Sequence, residues 1–169
     1  MIDRWIEASC AAHPTDHPLA NHLNAAHPTP THATQANTLL SGLGFENSGV
    51  AVAHALHNGL TAAPGTHAFM HGEKVAFGLH AQLALEGRPA AEVDAVLTFC
   101  EAVGLPVTLA QVGVDASDAE VVAAVAARTV KPGETSHNEP FEVTAEMVAD
   151  AMRSADARGR RFRGRAPYS

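Results

Sequence analysis

Aromatic side chains are scarce in this chain: they make up 5% of 169 residues, although hydrophobic residues as a class reach 46%. With alanine abundant among them, that composition favours helices packed closely over small side chains. Cysteine is scarce too. Cys10 and Cys100 give neither a disulfide framework nor a CxxC metal motif, and are expected to be reduced thiols. Basic residues are outnumbered, 11 Lys and Arg against 18 Asp and Glu, for a net charge of −7. That balance argues against nucleic-acid binding by electrostatics. No apolar run is long enough to span a bilayer, so no membrane partner is expected. Met1–Ala12 lacks the basic start and continuous apolar run of a signal peptide, and a cytoplasmic location is expected. No Gly-rich turn between a strand and a helix occurs, so no cofactor-binding residues can be placed. The length fits one domain with a core of its own.

Histidine, by contrast, is plentiful. Four of the 11 fall in one stretch, Gly44–Lys74. His54 and His57 lie three residues apart in an apolar, Ala-rich run, which puts both imidazoles on one face of a helix. Gly59 and the Pro64-Gly65 pair are expected to stop that helix and turn the chain. His71 follows, with Gly72, at the start of a second helical run. Histidines from consecutive helices joined by a tight loop can converge on one cation, and neutral imidazole suits zinc or ferrous iron. The same spacing also fits hydrogen-bonded core histidines. A metal site needs a third ligand, usually a carboxylate. The local carboxylates, Glu46 and Glu73, both sit where first-turn helix roles would use them. On spacing alone both readings stay open.

Around this stretch the chain reads as helices. Met1–Ala12 forms a short one, with Ile2, Trp5 and Ile6 on one face. His13–His32 holds five histidines and four prolines, which forbid a long helix and predict an irregular loop able to bind metal adventitiously. Helical character resumes at Ala33–Ser41, and the two histidine-bearing helices are expected at about Glu46–Leu60 and His71–Glu86. In the second, Val75, Phe77, Leu79 and Leu83 are core positions, and His80 is a surface or core residue rather than a ligand. Ala90–Val103 carries a buried stripe of Val93, Val96, Leu97, Cys100 and Val103, closed by Gly104. Ser117 and Glu120 form a capping-box pattern for a helix over Asp118–Arg128. Lys131–Phe141 is a loop. Thr144 caps a last helix, Ala145–Arg158, with Met147, Val148 and Met152 facing inward, and the basic end is an exposed, frayed tail.

The run GFENSGVAVAHALHNGLTAAPGTHAFMHGEKVAFG resembles the metal-binding signature of the glycerol dehydrogenases, a branch of the iron-type (group III) alcohol dehydrogenase family. The likeness begins at Ala36–Gly42, continues through Ala90–Val103 and GLPVTLAQVGV, and ends near Arg161-Phe162. It covers about three quarters of the chain. The fold implied is all-α, a helical bundle like the family's C-terminal domain, without the N-terminal α/β domain that binds NAD. The implied organisation is a truncated N-terminal helix at 1–12 and the His/Pro-rich loop at 13–32. A helical metal-binding dehydrogenase domain at 33–162 and a basic tail at 163–169 follow. By position, the resemblance makes His54 and His71 metal ligands. It places His57 in the site as a catalytic residue and makes Phe45 part of the substrate pocket wall. The family's third ligand is an Asp. If Trp5-Ile6-Glu7-Ala8 is the segment that follows it, that Asp would sit just before Met1, and Asp3 is out of register by about one helical turn.

The activity implied is metal-dependent, NAD-linked oxidation of glycerol, a vicinal diol, to dihydroxyacetone by hydride transfer. Zinc or iron would act as the Lewis acid, and the chain would be a truncated C-terminal portion of the enzyme. Its partners would be glycerol or another small diol, with a homo-oligomer or a separate NAD-binding chain completing the protein. The alternative is a non-catalytic helical remnant that binds metal weakly or associates with a full-length partner. Either way, a cleft without its second domain is expected to leave apolar surface exposed.

Overall fold

In a computed structural model the described residues are 50–165. The expected helices at Met1–Ala12 and Ala33–Ser41, the 13–32 loop and Phe45 lie outside them. Among the described residues there are five α-helices and no strand: α1 (Val52–Leu60), α2 (His71–Leu85), α3 (Ala90–Ala102), α4 (Ala119–Thr129) and α5 (Ala145–Arg165). Short 3-10 turns at Pro64–Thr66, Ala110–Val112 and Thr135–Asn138 connect them.

The main core gathers the apolar faces of α1, α2, α4 and α5. Val52, Leu56 and Leu60 from α1 meet Phe77 and Ala81 from α2, Val122 and Val125 from α4, and Val148 and Met152 from α5. Leu56, Phe77, Val125 and Met152 are all fully buried, so truncating any of them would cost several kcal/mol, about 2–5 for Leu56→Ala. A second cluster packs α3 against α2 through Leu83, Val93, Val96, Leu97, Cys100 and Val107, with Phe162 of α5 at its margin. The expected core positions Val75 and Leu83 are buried, and Leu79 is partly so.

Two glycines bring α1 close to its neighbours. Gly59 is the last residue but one of α1, which ends at Leu60 as expected, and it is buried. A β-carbon there would sit 2.1 Å from Thr129 Oγ1 and 2.7 Å from the Val125 carbonyl of α4. At Gly78 of α2, a β-carbon would stand 2.4 Å from the Ala53 carbonyl of α1. Both positions exclude a side chain because backbone passes so near.

The helix ends follow capping chemistry, with some corrections. α1 begins at Val52, after Ala51, which offers no side-chain cap. The Gln82 side chain accepts from the Ala53 N–H (2.9 Å) and Glu139 from the Val52 N–H (3.3 Å). Thr135 Oγ1 and Asn138 Nδ2 donate to the Ala51 and Val50 carbonyls. The 131–141 loop therefore serves as the missing cap of α1. α3 ends with Gly104 at φ 77, its Leu105 N–H donating to the Cys100 carbonyl (2.8 Å), as a Schellman ending requires. Pro89 stands at the N-cap of α3.

The cap of α4 is Asp118, which accepts from the Val121 N–H (3.0 Å). Ser117 instead donates to Asp115 Oδ1 (2.7 Å), so the expected box does not form and a single Asp cap one residue later replaces it. Thr144 does cap α5, accepting from the Met147 N–H (3.2 Å). Met147 is 38% exposed rather than inward-facing. α5 also continues past Arg158. Arg158, Arg160 and Arg163 pair with Asp94, Asp156 and Glu101, which gives basic residues read as a tail a structured role. No helix among the described residues is long and apolar enough to cross a membrane.

Candidate functional site

α1 presents His54 and His57 from one face, three residues apart, and α2 opens with His71 facing them. The Thr61–Met70 connection folds back tightly because Pro64 starts a 3-10 turn and Thr66 Oγ1 donates to the Leu60 carbonyl (2.6 Å). With α1 and α2 held together at Gly78, the three imidazoles meet. The His57 and His71 rings lie 4.2 Å apart, edge to face, and His54 and His71 rings 5.5 Å apart. His57 Nε2 and His71 Nδ1 are 3.2 Å apart. His67, the fourth histidine of the stretch, stands apart and donates from Nε2 to the Thr61 carbonyl (3.2 Å).

Electrostatics keep two of these rings neutral. Burial pushes the pKa of His54 below 6.5, and the neighbouring His71 and His57 rings add to the fall. Burial also lowers that of His57, with His71 and Lys74 acting the same way and the Asn58 hydrogen bond opposing them. Neutral imidazole is the form that binds metal and the form that accepts a proton.

A polar chain runs outward from the cluster. His57 Nδ1 contacts Asn58 Oδ1 (3.1 Å), and Asn58 Nδ2 donates to Glu134 Oε2 (2.8 Å). The guanidinium of Arg128 donates to the other oxygen of Glu134. The Asn58 hydrogen bond, helped by Arg128 and Lys131, holds the Glu134 carboxyl below its usual range. Spacing alone did not single out Asn58, Glu134, Arg128 or the buried Lys74. Asn58 and Lys74 at least stand within the histidine-rich stretch.

Whether these residues fit a metal can be tested on their donors. His54 and His71 offer nitrogens from two helices, chemistry suited to a borderline divalent cation. The set is half a site. Among the described residues no group of three or more His, Cys, Asp or Glu is arranged to hold a metal ion. His57 Nε2 is occupied by His71, and Glu73 is turned back to accept the Met70 N–H (2.7 Å). Glu46 and Phe45 lie outside the described residues. His80 is far from this chemistry. It is 1% exposed and lines a small cavity of about 40 Å³ with Ser154 and Arg158, under α3 and α5.

No protein-family model matches the chain. It is 54% identical to a glycerol dehydrogenase of Pseudomonas putida over 128 residues, 76% of this chain and 35% of that protein. It is 53% identical to a glycerol dehydrogenase of Citrobacter freundii over 132 residues, 78% of this chain and 36% of that one. Among solved structures, a probable glycerol dehydrogenase from Sinorhizobium meliloti superposes with a TM-score of 0.79 at 37% identity. That match covers 94% of this chain and 43% of the other. The chain thus spans about a third of the length of the curated relatives it matches.

Proposed function

The chain belongs with the glycerol dehydrogenases, over about a third of their length, and on that premise we propose that it is the helical, metal-holding part of a diol dehydrogenase. In this reading His54 and His71 hold a divalent cation, zinc or iron, and a ligand from outside the described residues completes the set. The observation that supports it is the meeting of three imidazoles from α1 and α2, with burial keeping two of them neutral.

A cation held there supplies Lewis-acid polarisation of a bound hydroxyl. For a vicinal diol such as glycerol, NAD would take the hydride from carbon, and a base of this chain would take the proton from oxygen. His57 is the base or orienting group of this reading: its lowered pKa leaves it neutral near pH 7, and it takes the proton at Nε2 once the substrate hydroxyl displaces His71 Nδ1 from that nitrogen. The proton leaves to solvent from the exposed edge of the cluster. α1 and α2 fix the imidazoles, and burial of the α1 face excludes water from one side of the cluster. The nicotinamide is held by the remaining part of the dehydrogenase, supplied in the same protein or by a separate NAD-binding chain.

The incomplete donor set favours a second reading: a non-catalytic helical remnant that binds metal weakly or associates with a full-length relative. Zinc titration of the purified chain by calorimetry separates these from adventitious binding. Under the proposal, His54→Ala or His71→Ala weakens zinc binding at least about tenfold, and His80→Ala does not change it. Equal loss from His80→Ala, or no loss from either site variant, removes the metal reading. Glycerol-dependent NAD reduction after adding a full-length relative then distinguishes enzyme from remnant.

A further inference from the structure

We infer that Asn58, Glu134 and Arg128 form a polar relay that fixes the tautomers of His57 and His71, leaving Nε2 of His71 bare. The order of donors and acceptors forces this. Glu134 is ion-paired with Arg128, so its carboxylate only accepts. The Asn58 group facing it at 2.8 Å must be the NH2; the opposite amide orientation would set an oxygen against a carboxylate. With its amide pinned, Asn58 turns Oδ1 toward His57 Nδ1 at 3.1 Å. An amide oxygen cannot donate, so Nδ1 of His57 carries the hydrogen.

In neutral His57, Nε2 then has only a lone pair. Its neighbour at 3.2 Å is His71 Nδ1, which must be the donor. Neutral His71 is left with a lone pair on Nε2. Free imidazole side chains favour the opposite form, with hydrogen on Nε2. The relay overrides that preference through four hydrogen bonds that begin at a guanidinium on α4 and end at the first residue of α2.

Asn58, Glu134 and Arg128 are thus positioning residues. They touch no reacting atom and determine which ring nitrogen is available. This parallels the outer hydrogen bonds that orient metal-bound histidines in general. Only the ligand role of Nε2 rests on the metal reading above; the tautomer assignment is independent of it.

The test is long-range 1H–15N correlation on 15N-labelled chain at neutral pH with chelator present, which distinguishes protonated from bare ring nitrogens. The expected result is hydrogen on Nδ1 of both His57 and His71. Glu134→Gln replaces the carboxylate by a group that can donate or accept, which frees the Asn58 amide to turn. Asn58→Leu removes the link. In each variant that keeps the wild-type backbone spectrum, both histidines shift from Nδ1–H toward a mixture dominated by Nε2–H. Hydrogen on Nε2 of His57 in the wild type overturns the inference. So do unchanged tautomers in folded Glu134→Gln. Zinc is then titrated into the wild type. If the tautomers are as assigned but zinc moves neither His54 nor His71, the relay stands and the metal reading fails.

Discussion

Replacing His80 by leucine should stabilise the chain, and more in acid than at neutral pH. His80 is 1% exposed, and both of its ring nitrogens lack a hydrogen-bond partner among the described residues. An unsatisfied buried polar group costs about 1–3 kcal/mol, and leucine has no such group and a similar bulk. At neutral pH His80→Leu is therefore expected to add about 1–2 kcal/mol, after some loss to imperfect fit.

The acid limb follows from burial, which lowers the His80 pKa from 6.5 to about 4. With the folded pKa below the unfolded one, the unfolded chain binds more protons between these values. Stability that is present above about pH 6.5 is then lost as pH falls toward 4. At about 1.4 kcal/mol per pH unit the full loss is about 3 kcal/mol, most of it complete by about pH 4.5.

Leucine does not titrate. The gap between variant and wild type should therefore widen by about 2 kcal/mol on going from pH 7 to about pH 4.5. Urea unfolding at both pH values measures it, and taking the difference between the two proteins removes the contribution of the carboxylates they share. A gap that stays constant across pH would refute the reasoning. So would a variant less stable than the wild type at neutral pH.

Three further substitutions probe the frame of the site. Gly78→Ala drives a methyl group against the Ala53 carbonyl, and should cost about 1–3 kcal/mol. It should also break the His57–His71 contact, seen as loss of their mutual nuclear Overhauser effects. Asp156→Ala leaves the buried Leu109 N–H and the Arg160 guanidinium without their carboxylate, for about 2–3 kcal/mol in chemical denaturation. Thr144→Ala removes the cap of α5 and should cost about 1 kcal/mol in the same assay.

Local pattern carried much of this fold. The apolar stripe of α3, with Val93, Val96, Leu97 and Cys100, is buried as its spacing requires, while Val103, at the helix end, is only half-buried. His54, His57 and His71 come together as helical periodicity and a tight connection suggest. The misses lie where distant residues decide. Gly59 sits at the expected end of α1, but its close crossing with α4 is set by Val125 and Thr129, far along the chain. α1 has no local cap because Gln82 and Glu139, 29 and 87 residues away, supply one. Glu134 is 76 residues from the Asn58 it orients, and nothing in a single sequence couples them. Arg158 and Arg163 read as tail because their partners, Asp94 and Glu101, belong to another helix.

The most direct measurement of the central claim is a zinc-edge anomalous difference map from crystals of the chain grown with zinc. The account predicts a peak about 2.0–2.1 Å from a nitrogen of both His54 and His71, with Nε2 the ligating atom of His71. A peak confined to the His13–His32 segment, or bonded to neither His54 nor His71, would contradict it.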